Sequence, residues 1–421
     1  MSSSNTKKDI LVYADWKSLP DPELMGVLSA SSVKGKETFS FEYMRNWLDS
    51  GFTQMIDPDL QLFSGKYYPK DDKTNFGIFL DSCPDRWGRV LIQKREAILA
   101  KLEGRKSKTL LESDYLLGVF DYHRMGALRF KLEEDGPFLN DNTNLTTPPW
   151  TSLRELQNAS LKFEEDDLFE SETLKWINML LAPGSSLGGA RPKASIEDVD
   201  HNLWIAKFPS KNDDYDVGAW EMVTFELAKN AGINVANGEV QQFNSRYHTF
   251  LTKRFDRTNK GERIHFASAM TQLGKKDGED SQGTSYLEIA EFIIRHGKQV
   301  EKDLEELWRR IAFNICVKNT DDHLRNHGFL LTNSGWELSP AYDLNPNIYG
   351  TNLSLNINEN NNSLDLDLAL EVAPYFRLDL QKAEQILQDV KNSIKNWRSY
   401  AIKFKISYPE QERMSVAFYN A

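Results

Sequence analysis

Apolar residues recur at three- and four-residue steps in several stretches and at every second residue in others, and these two periods predict most of the elements. Leu304, Leu307, Trp308, Ile311, Ala312 and Ile315 keep the helical spacing, so one face of a helix there should be buried. Trp87 to Leu102 and Asp379 to Phe404 also read as helical. Thr38 to Tyr43 alternates and predicts a half-buried strand, whereas the unbroken apolar run Ile10–Ala14 predicts a fully buried one. Further on, a strand at Leu203–Phe208 is followed by a helix at Gly218–Asn230. A hairpin then pairs Val235–Phe243 with Thr249–Phe255. A second hairpin, Gly328–Leu331 with Trp336–Leu338, turns at Asn333-Ser334-Gly335.

The punctuation between these elements divides the chain. Gly136, Pro137, Pro148 and Pro149, set among Asn and Asp, give residues 133–152 a linker composition. The start, Met1 to Lys8, lacks the apolar stretch of a signal peptide and is expected as a disordered tail over 1–8. The expected fold class is α+β. A small α/β domain over 9–132 precedes a bilobal unit, with a small β-rich lobe at 153–257 and a larger helical lobe at 258–421.

Composition narrows the class. At 421 residues the chain exceeds one ordinary core. With 40% hydrophobic and 27% charged residues it reads as globular, and no run of eighteen apolar residues predicts a membrane span. Cys83 and Cys316 lie in apolar surroundings and read as reduced core residues, which points to a cytoplasmic protein. A net charge of −11 argues against whole-surface attraction to nucleic acid. A local basic cluster remains: Arg86, Arg89, Lys94, Arg95, Lys101, Arg105, Lys106 and Lys108, offset by Asp85, Glu96 and Glu103. It reads either as a solvated helix face or as a contact for phosphates or an acidic partner.

The chemistry concentrates after the helix that carries Leu304 to Ile315. There Asp321 stands five residues ahead of Asn326. That is the spacing of a phosphotransferase catalytic loop, in which the Asp accepts a hydroxyl proton and the Asn holds Mg²⁺. Beyond the hairpin, Asp343 occupies the place of a second, metal-binding carboxylate. Upstream, the run Gly184–Lys193 combines glycines with Ser185, Ser186, Arg191 and Lys193. Such a loop can converge amide N–H groups on an anion, or it can be an ordinary surface loop. Lys207 ends an apolar strand, where an ammonium needs a phosphate or a carboxylate. Glu221 fits that role and Glu226 is an alternative. His323 and His327 lie four apart but without an HExxH pattern. His323 is read as orienting Asp321 or packing beneath the loop, and Asp322 as a solvated or loop-capping carboxylate.

Taken together, Ser185–Lys193, the strand lysine in Ile205-Ala206-Lys207-Phe208-Pro209, Arg254-Phe255-Asp256-Arg257, Asn319–Asn326 and Tyr342-Asp343 resemble the HipA family. These are serine/threonine kinase toxins of bacterial toxin–antitoxin modules. Asp81–Asp85, Leu117–Phe120 and Gly126–Leu128 extend the likeness to the first domain. The resemblance implies an ATP- and Mg²⁺-dependent protein kinase with Asp321 as base and Asn326 and Asp343 as metal ligands. It also implies Lys207 on the ATP phosphates, paired with Glu221. The nucleotide would be covered by Gly188, Gly189, Ala190, Arg191, Pro192 and Lys193, with Lys253, Arg254 and Phe255 at the adenine and His323 among the nucleotide-contacting residues. Ser186, with Ser185 as the alternative, matches the serine autophosphorylated in the family, where phosphate shuts the enzyme down. Implied partners are a HipB-like helix-turn-helix antitoxin, operator DNA mainly through that antitoxin, and a protein substrate of translation such as an aminoacyl-tRNA synthetase, with no membrane. Two other readings remain open: a non-catalytic co-repressor subunit, and a small-molecule kinase of similar fold.

Overall fold

A computed structural model describes residues 6–33, 35–52, 54–70, 73–142, 147–165, 170–180, 191–276 and 283–418. The chain forms two compact units, one of Met1–Ile205 with Asp256–Lys276, the other of Ala206–Phe255 with Asp277–Ala421. The division falls inside the strand Leu203–Lys207, not at the expected linker. Parts of 133–152 are instead tied into the first unit. Leu139 bridges Phe130, Pro149 bridges Glu197, and the Phe138 ring packs edge-on against Tyr13 at 5.3 Å. The Pro and Gly there mark turns of a tethered segment. The first strand, Thr6–Ala14, begins inside the expected 1–8 tail and pairs Thr6 with Ser32, while residues 1–5 lie outside the described residues.

The first unit is built on a five-stranded antiparallel sheet. Its spatial order is Lys66–Tyr67, Lys36–Tyr43, Glu23–Val33, Thr6–Ala14 and Leu128–Lys131. Ile10, Val12 and Ala14 are wholly buried, and Phe39, Phe41 and Tyr43 point to the core at every second position. Phe41, Phe76, Phe79 and Phe130 form a chain of tilted and edge-to-face rings over it. The helix Arg86–Leu102 is capped by Asp85, whose carboxylate accepts the Gly88 N–H at 2.8 Å. Cys83 and Cys316 are both buried.

Four residues of the basic cluster, on that helix and just beyond it, are engaged within their own unit, while Arg86, Lys101, Lys106 and Lys108 are exposed. Arg89 makes a two-bond fork to Glu112, Arg105 does the same to Glu96, Arg95 donates to Asn178, and Lys94 lies over the Phe163 ring. Glu112, Asn178 and Phe163 come from other helices, so counting charges along one helix overstates the exposed positive charge.

In the second unit, the helix Val217–Asn230 is capped by Asp216, which accepts the Ala219 N–H at 3.1 Å. Gly218 is required there, because a Cβ would sit 2.3 Å from the His248 carbonyl oxygen. The strands Gly238–Gln241 and Thr249–Lys253 pair as the expected hairpin, and Gly328–Thr332 with Gly335–Leu338 as the second. The helix Val300–Cys316 buries Leu304, Leu307, Trp308, Ile311, Ala312 and Ile315, as their spacing predicts. It also buries Arg310, Phe313 and Asn314, so its last turns are enclosed on more than one face. The helix expected over Asp379–Phe404 is two helices, Leu380–Ile394 and Trp397–Lys403. The break lets Trp397 stack on Phe418 at 4.8 Å and reach buried Trp220. Among the described residues, no helix is long and apolar enough to cross a membrane.

Candidate active site

Lys207 is the hub of the second unit's polar centre. Its ammonium lies 2.5 Å from Glu221 Oε1 and 2.7 Å from Asp343 Oδ1. Its side chain is 12% exposed and that of Glu221 only 4%, so neither charge could be held there alone. Burial pushes the Lys207 ammonium toward neutrality, but Asp343 and then Glu221 outweigh it and hold its pKa above the ordinary lysine value. Glu226, the alternative partner, pairs with Lys403 instead. The Glu221 register is locked one turn on, where the Thr224 hydroxyl donates to the Leu344 carbonyl. The neighbouring residue, Asp343, sits at φ +60. A non-glycine residue in this left-handed region stores strain, a frequent feature of functional sites.

Asp343 gathers the rest. The Asn326 amide donates to its Oδ2 at 3.0 Å and the Asn345 amide to its Oδ1 at 3.1 Å. Asn326 Oδ1 in turn accepts the His323 backbone N–H at 3.1 Å. The Tyr342 hydroxyl donates to the Arg325 carbonyl at 2.6 Å, and the Phe255 ring lies 5.6 Å from the Tyr342 ring. The loop and the Asp343 segment are therefore bonded together, with Phe255 alongside.

Within the loop, neighbouring carboxylates face opposite ways. Asp321 is exposed and Asp322 is buried. Although Asp321 is exposed, the protein around it partly desolvates its carboxylate and raises its pKa; His323 opposes this, and the negative charges of Asp343 and Asp322 add to it. Asp322 Oδ2 lies 2.6 Å from the Tyr286 hydroxyl, 2.9 Å from Asn314 Nδ2 and 2.8 Å from His327 Nε2. Burial alone would raise the Asp322 pKa, but His327 and the Tyr286 hydrogen bond bring it below the usual value. Outside the loop, Asn347 donates to the Thr320 hydroxyl at 2.8 Å and Ser354 to the Thr320 carbonyl at 2.9 Å. Gly350 passes so close that a Cβ would meet Thr320 Oγ1 at 1.9 Å. Gly350→Ala is therefore expected to cost roughly 1–3 kcal/mol of stability, read as a lowered denaturation midpoint. An unchanged midpoint would show that Thr320 can step aside freely.

The HipA-like C-terminal domain family matches residues 185–397. The serine/threonine-protein kinase toxin HipA of Shewanella oneidensis is 31% identical over 353 residues, covering 76% of this chain and 72% of that protein. The chain belongs to the HipA family. A candidate kinase of Haemophilus influenzae is 28% identical over 194 residues. That match covers 40% of the chain and 56% of the Haemophilus protein, so there the chain spans only about half of its relative. A chain in the structure of Shewanella oneidensis HipA with HipB and operator DNA superposes with a TM-score of 0.66. It covers 98% of this chain and 95% of its own length at 18% identity, which establishes the fold. The mixed α/β, kinase-like fold class read from the sequence is the one observed.

The structure thus brings Lys207, Glu221, Asn326 and Asp343 into one bonded cluster, with Asp321 and His323 beside it. Ser185, Ser186, Gly188, Gly189 and Ala190 lie outside the described residues. Lys193, which the resemblance assigns to the nucleotide loop, is instead buried against Asp85 at 2.6 Å, and Pro192 is buried beside it. Arg191 is partly exposed. Lys253 and Phe255 are half-buried and Arg254 is buried, with the Lys253 N–H donating to the Asn237 carbonyl. The solvated reading of Asp322 is corrected, because three donors from separate elements draw it inward. Asn345, Tyr286, Asn314 and His327 carry no catalytic motif of their own. Of these, the sequence singled out only His327, through its four-residue spacing from His323, and that spacing gave no sign of its contact with Asp322.

Proposed function

We propose that this HipA-family chain is an ATP-dependent kinase that phosphorylates serine or threonine in proteins, and is the toxin of a toxin–antitoxin pair. The contact of Lys207 with Asp343, itself bonded to Asn326, is the observation that carries the reading. It joins a strand lysine, a loop amide and a downstream carboxylate, the three groups a phosphoryl transfer needs around its phosphates.

Asp321 acts as the base. Its side chain is exposed to an incoming hydroxyl, and its raised pKa makes it a better proton acceptor than an ordinary carboxylate. The acceptor oxygen bonds to the γ-phosphorus, the bond to ADP breaks, and the hydroxyl proton passes to Asp321. Lys207, held by Glu221, neutralises phosphate charge. Phe255 and the backbone of Lys253 and Arg254 are the groups that would meet the adenine. Asn326 and Asp343 are the groups that would hold Mg²⁺. The donor set is oxygen only, and Glu221, Asp343 and Asp321 outnumber the single ammonium of Lys207, which suits a hard divalent cation that keeps water and phosphate as its other ligands. When bound, the ion would shield the phosphate oxygens.

Residues 153–257 and 258–421 are proposed as the kinase lobes. A HipB-like helix-turn-helix antitoxin is the proposed partner, since the Shewanella relative was solved with HipB and operator DNA. The proposed target is a protein of translation such as an aminoacyl-tRNA synthetase, and the proposed location is the cytoplasm.

Incubation with γ-³²P-ATP tests the activity. Label is expected on serine of the chain itself, dependent on Mg²⁺ and lost with EDTA. Mass spectrometry should place it on Ser186, or on Ser185 beside it. Absence of both ATP turnover and label in the presence of Mg²⁺ would overturn the reading, and label confined to other residues would overturn the autophosphorylation assignment.

A further inference from the structure

The loop buries one of its two adjacent carboxylates, which is an expensive choice for a residue that could have faced water. Ionised carboxylates enter a protein interior only with good hydrogen bonds. Asp322 has three, and each donor comes from a different element. Tyr286 is the first residue of the helix Tyr286–His296, Asn314 lies in the last turn of Val300–Cys316, and His327 directly precedes the strand Gly328–Thr332. Asn314 also accepts from Asn319 Nδ2 at 3.1 Å, and its carbonyl accepts the Asn319 N–H at 2.9 Å, which ties the loop's entry to the same point. The Tyr286 ring stands edge-on to the His327 ring at 5.7 Å, which steadies both donors.

We infer that Asp322, held by Tyr286, Asn314 and His327, is a positioning residue that sets the catalytic loop so that Asp321 meets the acceptor hydroxyl. The inference rests on the assignment of Asp321 as base. Adjacent residues of an irregular loop share one backbone, so pinning the Asp322 side chain inward leaves Asp321 little freedom to turn away. Asp322 acts through position only and touches neither nucleotide nor acceptor. An exposed carboxylate on a short, otherwise irregular loop would wander by more than the ångström that separates productive from unproductive geometry.

The test compares variants by MgATP turnover and autophosphorylation, each normalised to folded protein measured by circular dichroism. Asp322→Ala is expected to lower kcat by about 100-fold, with KM for MgATP within about twofold, because Lys207, Asp343 and Asn326 keep their own mutual bonds. Asp322→Asn offers a carbonyl oxygen to the same donors and should restore kcat to within about fivefold of wild type. Tyr286→Phe removes one donor with almost no change in volume and should lower kcat by about fivefold to tenfold. A wild-type kcat in Tyr286→Phe overturns the inference even if Asp322→Ala fails to fold. So does a loss that appears in KM, or an Asp322→Asn variant as impaired as Asp322→Ala. Asp321→Ala serves as the reference. If it is fully active, the base assignment itself has failed; if it is inactive while the Asp322 and Tyr286 variants are unimpaired, only the positioning role has.

Discussion

Asp321→Ala is expected to lower phosphate transfer by about 10²–10⁴-fold, the range lost with a general base, while the fold and MgATP binding survive. The side chain is exposed, so its removal opens no cavity and leaves no buried group without a partner. The neighbouring structure holds itself. Asp322 keeps its three donors, and Asn326 keeps its bonds to Asp343 and to the His323 N–H. ³²P transfer and a thermal melt on the same preparation check this. A folded variant that retains more than about a tenth of wild-type transfer would remove Asp321 from the mechanism.

Lys207→Met should damage both activity and stability. Two carboxylates would lose their common cation, and one of them, Glu221, has a side chain only 4% exposed. Breaking a buried pair from one side costs about 3–5 kcal/mol, because the remaining charge stays desolvated. Loss of the charge on the phosphates should add about a 10²–10³-fold drop in transfer. The pH dependence distinguishes this from ordinary loss of packing. In the wild type the folded lysine pKa is raised, so its stabilising effect is complete below the unfolded value of about 10.4 and fades only as pH rises through the folded value. The wild type should therefore show no change from this group between pH 5 and 8. In the Met variant, the carboxylates left without their cation take up protons more readily, and the deficit should shrink as pH falls from 8 to 5. Denaturant midpoints at both pH values measure it. A deficit of equal size at both would mean that the ion pair contributes little and that the methionine simply packs badly.

Legibility from the sequence followed the range of the forces involved. The helix Val300–Cys316 and both hairpins of the second unit were readable because hydrophobic period and turn chemistry act over a few residues. The family was legible through several short motifs in a fixed order. Glu221 was readable as the partner of Lys207, but Glu226 on the same helix stayed open as an alternative until Lys403 was seen to take it, and the direct contact of Asp343 with Lys207 had no local signal. Lys193 looked like a phosphate donor until Asp85, more than a hundred residues earlier, was found against it. The single C-terminal helix looked continuous because nothing in its local pattern reveals that Trp397 must turn toward Trp220 and Phe418.

By itself, then, the amino-acid order determined which segments are helices and strands, that the chain belongs to the HipA family, and which few side chains are the candidates for phosphoryl-transfer chemistry. Those properties reside in residue type and spacing. Only the tertiary structure decided that Asp343 answers Lys207, that Asp322 turns inward while Asp321 faces out, and that the Gly350 backbone presses on Thr320. An irregular loop has no period from which to read a buried side. The donors that draw Asp322 in also lie up to 36 residues away, and come within hydrogen-bonding reach of it only once the helices have packed.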